Sequence, residues 1–276
     1  MRVRPVSILR YTAPAAIIAF GVWYIAAHYD LRSLGSSFTP KGLAILAALN
    51  LLTILCESIR LHLMIRKLGA SGSGLLEAWN LLTLIQVLNL VMLKAGTVSG
   101  GYYLFKRRGI AFSSYLAFVV TYVVVIVLAS GVLGLVISCV YFICGLPVNP
   151  VAPIFFSGAA VLSAGTILAA RSRLPVERFP EALRRFFESI RTVYSDTGLL
   201  VVMTGLECVF HLAAALRFTT AIGMLSGHVG LLDSALVMTV GNFLKIATVV
   251  PGGLGIAEVA SAWTADFLGG DAGISG

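Results

Sequence analysis

Seven ionisable side chains stand inside stretches that are otherwise apolar: Glu57, Arg60, Lys94, Glu207, Arg217, Lys245 and Glu258. A charge near the centre of a bilayer costs at least about 2.5–3.5 kcal/mol, so each needs a partner, a polar cavity or a route to the interface. Lys94 lies beside Gly96, Gly100 and Gly101, and an ammonium next to free backbone amides suits a phosphate headgroup. Snorkelling to the interface is the plainer reading of the same lysine. Lys245 precedes the break Pro251-Gly252-Gly253-Leu254-Gly255, and Glu258 follows it. A carboxylate there favours the dipole of a new helix, pairs with Lys245, or attracts a cationic headgroup.

Glu57 and Arg60 have the spacing of an ion pair within one helix, and Glu207 with His211 has the spacing of a proton-sensitive pair. Asn89 and Asn242, close to the two breaks, suit bonds between helices. The candidate substrate-contacting set is therefore Glu57, Arg60, Lys94, Gly96, Gly100, Gly101, Glu207, Arg217, Asn242, Lys245, Pro251, Gly252, Gly253, Gly255 and Glu258. No enzyme is expected: there is no phosphate-binding P-loop, nucleotide fingerprint, HExxH or GxSxG motif. The four histidines are scattered and the four cysteines lack paired spacing, so no metal or cofactor is expected, and the cysteines read as small buried hydrophobes.

The elements that must carry these residues are membrane helices. Hydrophobic residues make up 58% of the 276-residue chain and charged ones 12%, about half the share of a soluble domain. Apolar segments run approximately over 10–28, 42–66, 75–93, 112–144, 151–170, 197–222, 230–250 and 256–268. The stretch 112–144 is either one tilted helix or a helix broken near Ser130-Gly131. The first apolar segment is too long, and lacks the cleavage site, for a signal peptide, so a retained helix with a cytoplasmic N-terminus is expected. Residues 171–196 turn polar, with Phe179, Leu183, Phe186, Phe187, Ile190 and Tyr194 at helical spacing among arginines. That pattern reads as a cytoplasmic basic amphipathic connector, at the membrane surface or solvated.

The formal charge of +8 comes from clusters between apolar runs, which orient a membrane protein rather than bind nucleic acid. If 75–93 crossed fully, Lys106-Arg107-Arg108 would be stranded outside. If instead 75–105 enters and returns as a re-entrant hairpin, fifteen of the 20 basic residues are cytoplasmic. Only Arg32 and Lys41 are then outside, with Lys94, Arg217 and Lys245 at membrane depth.

The chain also repeats. Gly74-Leu-Leu-Glu77 and Gly230-Leu-Leu-Asp233 lie 156 residues apart, and the same offset sets LNLVMLKAGTVSGGYY (88–103) on LKIATVVPGGLGIAEV (244–259). Each unit is preceded by a helix holding a glutamate and an arginine, Glu57 and Arg60 in one and Glu207 and Arg217 in the other. The expected fold is an all-α polytopic membrane protein in one integral domain. Its units, 42–111 and 197–268, form an inverted-topology repeat with re-entrant hairpins near 75–105 and 230–268.

PGGLGIAE at 251–258, flanked by apolar helices, resembles the signature of the flippase-like family that includes the membrane region of lysylphosphatidylglycerol synthases. RLHLMIRKLG (60–69) followed by LKAGTVSGGYYLFKRRGI (93–110) is similar to that family's first unit, although it lacks the family's proline and acid–arginine pattern. The resemblance covers roughly residues 40–268 and stops before GGDAGISG, where relatives continue into another helix. It implies movement of an aminoacylated or otherwise polar lipid between leaflets, with membrane lipids as partners. Lysyl transfer is not implied, since no aminoacyltransferase portion is present in this sequence. The alternatives are an ion-coupled small-solute transporter, or an accessory component that associates with lipid- or glycan-synthesis enzymes of the envelope. A homo-oligomer is compatible with all three, and the inner membrane is the expected location. With no nucleotide site, transport would run downhill or be driven by ions or membrane potential.

Overall fold

Inside hydrocarbon, backbone N–H and C=O groups must be satisfied within their own segment, so long apolar runs fold as helices. A computed structural model describes residues 38–70, 72–91, 94–146, 150–172, 179–224 and 229–247, with the backbone alone at 90, 91 and 244–247. The expected segments 10–28 and 256–268 lie outside the described residues. Eight helices form within them: α1 (Pro40–Lys67), α2 (Leu75–Val91), α3 (Ala95–Arg108), α4 (Phe112–Ile143), α5 (Val151–Arg171), α6 (Glu181–Tyr194), α7 (Thr197–Met224) and α8 (Leu231–Ala247). No strand occurs among the described residues. Four of the helices, α1, α4, α5 and α7, are long and apolar enough to cross a membrane.

Local chemistry sets the boundaries. Thr39 caps α1, its hydroxyl accepting the Gly42 N–H at 3.1 Å, with Pro40 in the first turn where a missing N–H is harmless. Gly109, at φ 67°, closes α3 in the left-handed conformation that a glycine adopts without strain. Between the two alternatives for 112–144, the structure takes the continuous helix. Gly131 and Gly134 are small to admit α5: a side chain at Gly131 would meet the Ala160 amide at 2.8 Å, and one at Gly134 would run into the Phe156 ring.

The helices pack antiparallel in a way that sorts charge. Lys67 bonds Asp196 at 2.6 Å, and Arg171 donates to the Tyr194 carbonyl at 2.6 Å. These contacts bring the end of α1, the end of α5, the end of α6 and the start of α7 together. α3 runs back along α2 so that Arg108 and Tyr103 meet Glu77, which keeps Lys106, Arg107 and Arg108 at that same end. The opposite end, where Gly42 faces Met224 and Tyr141 bonds Asp233, is poorer in positive charge, with Lys41 in the first turn of α1 and Arg217 seven residues before the end of α7. α6 is the expected connector. It sinks Ile190, Val193 and Tyr194 into a core shared with Met64, Val125, Ile167 and Met203, and leaves Arg184 and Arg185 exposed.

Of the cysteines, Cys56 is buried as expected, but Cys139 on α4 and Cys144 just past its end are exposed, and Cys208 on α7 is half-buried, since each lies where helix packing leaves the surface uncovered or partly covered.

Candidate functional site

α1 and α7 are both 28 residues long, and they pack antiparallel side by side. Their lengths place Arg60 seven residues before the end of α1 and Glu207 ten residues after the start of α7, at similar depth from the basic end. The two side chains form an ion pair, 1% and 2% exposed. Arg60 also lies over the rings of Tyr122 on α4, at 4.9 Å, and Phe210 on α7, at 5.4 Å. A guanidinium between two aromatic faces and a carboxylate is held by charge and packing together.

The ion pair is the centre of a longer polar chain. On one side, Glu57 lies 4.0 Å from Arg60 and accepts a hydrogen bond of 2.6 Å from the Gln86 amide on α2. On the other, His211 Nδ1 lies 3.3 Å from the Glu207 carboxylate and 2.9 Å from the Glu207 backbone carbonyl. Its Nε2 is 2.9 Å from Ser130 Oγ on α4 and 3.1 Å from Asn242 Nδ2 on α8. Gln86, Glu57, Arg60, Glu207, His211 and Asn242 thus link α2, α1, α7 and α8 in one line.

The sequence reading anticipated Glu57 with Arg60 and Glu207 with His211, and both pairs are close. It did not foresee that Glu207 is the main counter-ion of Arg60. It also missed Gln86, Ser130, Tyr122 and Phe210. A signal for Gln86 existed: Gln86 and Asn242 are 156 residues apart, the offset of the repeat. The starts of two helices obey the same offset, α2 at Leu75 and α8 at Leu231. α1 and α7 start at Pro40 and Thr197, 157 apart, which puts Arg217 in register with Arg60 and Glu207 with Asn50. Arg217 donates to Asn50 at 3.0 Å. Each Arg–partner pair on α1 and α7 therefore has a counterpart with the helices exchanged.

The glycines of the first hairpin are used for packing. Gly96 is buried, and a side chain there would collide with the Ile85 carbonyl on α2. At Gly100 it would meet Ile85 Cδ1 at 2.7 Å, and at Gly101 the ring of Tyr115 at 2.6 Å. Nor are the amides beside them free: Asn89 Oδ1 accepts the Gly96 N–H at 2.9 Å and the Thr97 N–H at 3.4 Å. Asn89 is thus a bond between helices, capping α3 from α2. Lys94 sits at an exposed position before α3 in the left-handed conformation, φ 58°. Lys245 belongs to α8 by its backbone, but its side chain, with Pro251, Gly252, Gly253, Gly255 and Glu258, lies outside the described residues. Among the described residues no group of His, Cys, Asp or Glu is placed to hold a metal ion.

Residues 11–275 match the family model described as Lysylphosphatidylglycerol synthase TM region, essentially the whole chain. No curated protein and no solved structure matches it.

Proposed function

The chain belongs to the lysylphosphatidylglycerol synthase TM region family, an integral membrane group of the lipid-modification and flippase type, and on that premise we propose that it moves a lipid with a polar headgroup, phosphate-bearing or aminoacylated, between leaflets. The observation that carries the reading is the polar chain that runs from Gln86, exposed on α2, through the buried Arg60–Glu207 pair and His211 to Asn242 on α8. It joins the two helices that a repeat would place on either side of a headgroup path. In this reading α2 and α8 are the entering arms of re-entrant hairpins, the first entered from the basic end and the second from the opposite end. Arg60, Arg217, Lys94 and Lys245 would meet the anionic part of a headgroup, and Glu57, Glu207 and Glu258 its cationic part. The basic end faces the cytoplasm of the inner membrane in this reading, and the role is transport without catalysis.

Reconstitution into vesicles with headgroup-labelled phosphatidylglycerol, plain and aminoacylated, tests it. Protein-dependent exchange between leaflets is expected, reduced about tenfold when Arg60→Met and Glu207→Gln are combined so that neither half of the buried pair is left facing a lost partner. No exchange by the wild-type chain overturns the proposal, and exchange unchanged in the double variant overturns the site. The near-complete burial of Arg60 and Glu207 favours a second reading, an ion-coupled carrier of a small solute. Uptake of a headgroup analogue without acyl chains, in place of lipid exchange, selects that reading.

A further inference from the structure

At the basic end a cleft of about 410 Å³ opens between the start of α4 and the start of α6, lined by Phe112, Ser113, Leu116, Glu181, Ala182 and Arg185. That volume lies within the range of small-ligand sites. Phe112 and Leu116 stand one turn apart on α4, and Glu181 and Arg185 one turn apart on α6, so each helix turns one face to the cleft. Further along α6, Ser189 Oγ lies 2.9 Å from Ser114 Oγ, and Ile190, Val193 and Tyr194 are buried. The two walls are thus fixed against each other by packing.

The lining is amphiphilic. Phe112 and Leu116 leave 42% and 41% of their surface exposed, an apolar wall that folding does not cover. The charged part is one ion pair, Arg185 with Glu181, both more than half exposed. Arg185 uses Nη2 in that pair, which leaves Nε and Nη1 without a partner among the described residues. At the same end Tyr102, Phe105 and Phe179 expose their rings, and Lys106 and Arg107 are exposed in the last turn of α3. Rings and cations together mark the headgroup level of a bilayer. α6 itself has three arginines against two glutamates.

We propose that this cleft holds one anionic phospholipid, with an acyl chain against Phe112, Leu116 and Ala182 and the phosphate on Arg185. The chain leaves water for the apolar wall, and the planar guanidinium offers its remaining donors to two phosphate oxygens. The excess of cations at this end favours a net negative headgroup over a zwitterionic one. Glu181 opposes binding, since its carboxylate occupies one guanidinium donor and repels the phosphate. The lipid here is held, not moved. None of the six lining residues belongs to the polar chain from Gln86 to Asn242, and the site stands whether or not the protein carries lipid between leaflets.

The test uses the full chain in detergent micelles, with thermal unfolding followed as phosphatidylglycerol or phosphatidylcholine is added. Phosphatidylglycerol is expected to raise the melting temperature saturably, at lower concentration than phosphatidylcholine. Arg185→Gln is expected to raise the half-saturating concentration about fivefold. Glu181→Gln is expected to lower it, although both substitutions break the same helix pair. Arg184→Gln, exposed and 3.7 Å from Glu188 outside the cleft, is expected to have the smaller effect. Ala182→Trp fills the cleft and removes the shift; should it not fold, the two charge variants still decide. An equal response to both lipids, or Arg185→Gln and Glu181→Gln moving in the same direction, overturns the proposal. Arg184→Gln matching Arg185→Gln overturns Arg185 as the phosphate contact. A shift as large with glycerophosphoglycerol, which has no acyl chains, assigns a soluble anion and overturns the lipid site.

Discussion

Arg217 donates to Asn50 at 3.0 Å in the same register that brings Arg60 to Glu207 at the other end of the α1–α7 pair. One arginine is neutralised by a buried carboxylate, while its counterpart has a neutral amide on an exposed position. The two ends of one helix pair therefore differ in charge although they match in geometry, and the first two predictions separate them.

Glu207→Gln leaves the Arg60 guanidinium buried without its principal counter-ion, and a loss of about 3–5 kcal/mol of stability is expected. Adding Arg60→Met removes the orphaned charge and restores a large part of that loss. Reversible unfolding in mixed micelles, read as a double-mutant cycle, checks this. Additive losses would show that the two side chains do not form a coupled pair.

Asn50→Ala removes a hydrogen bond from an exposed position, and a cost of no more than about 1 kcal/mol is expected in the same unfolding measurement. A loss as large as that of Glu207→Gln would mean that Arg217 depends on Asn50 as heavily as Arg60 does on Glu207.

Gly96→Ala drives a methyl group into the Ile85 carbonyl, so α2 and α3 must move apart at a cost of about 1–3 kcal/mol. Gly158→Ala, in α5 with nothing within 4 Å of the new methyl, gains up to about 1 kcal/mol from helix propensity. Thermal unfolding of the two variants should move in opposite directions. A neutral Gly96→Ala would remove close packing as the reason for that glycine.

Lys67 at 2.6 Å, followed by the Leu199 N–H at 2.9 Å, holds the Asp196 carboxyl below its ordinary range. A depressed folded-state value contributes stability that is present above the unfolded value and lost as pH falls through the folded one. Wild type should therefore exceed Asp196→Asn in melting temperature at pH 7, with the gap closing below about pH 4, the ordinary carboxylate range. No gap at pH 7 would show that the Lys67–Asp196 pair contributes nothing beyond the N-cap bond, which asparagine at 196 can also make.

Much of the fold is legible in the sequence because its information is local. Six apolar segments drawn from composition correspond to α1, α2, α4, α5, α7 and α8, each starting within two residues of the expected position, since length and hydrophobicity decide what can lie in a bilayer. The basic clusters fall at one end for a similar reason, and 181–194 shows its helix through its own periodicity. α3 is harder to see: the run from Ala95 to Arg108 is rich in glycine and only partly apolar, and its helix depends on Asn89 capping it from α2.

The sequence by itself determined which segments are apolar, where the positive charge collects, and that two stretches 156 residues apart are alike. Each follows from composition or spacing along the chain. Only the tertiary structure decided that Arg60 turns to Glu207, that Gly96 is small for the sake of Ile85, and that His211 ties α7 to Ser130 and Asn242. Those choices depend on the register and rotation of helices packed across distances in sequence that no local period records. A buried charge takes the partner that packing brings within reach, not the one nearest along the chain.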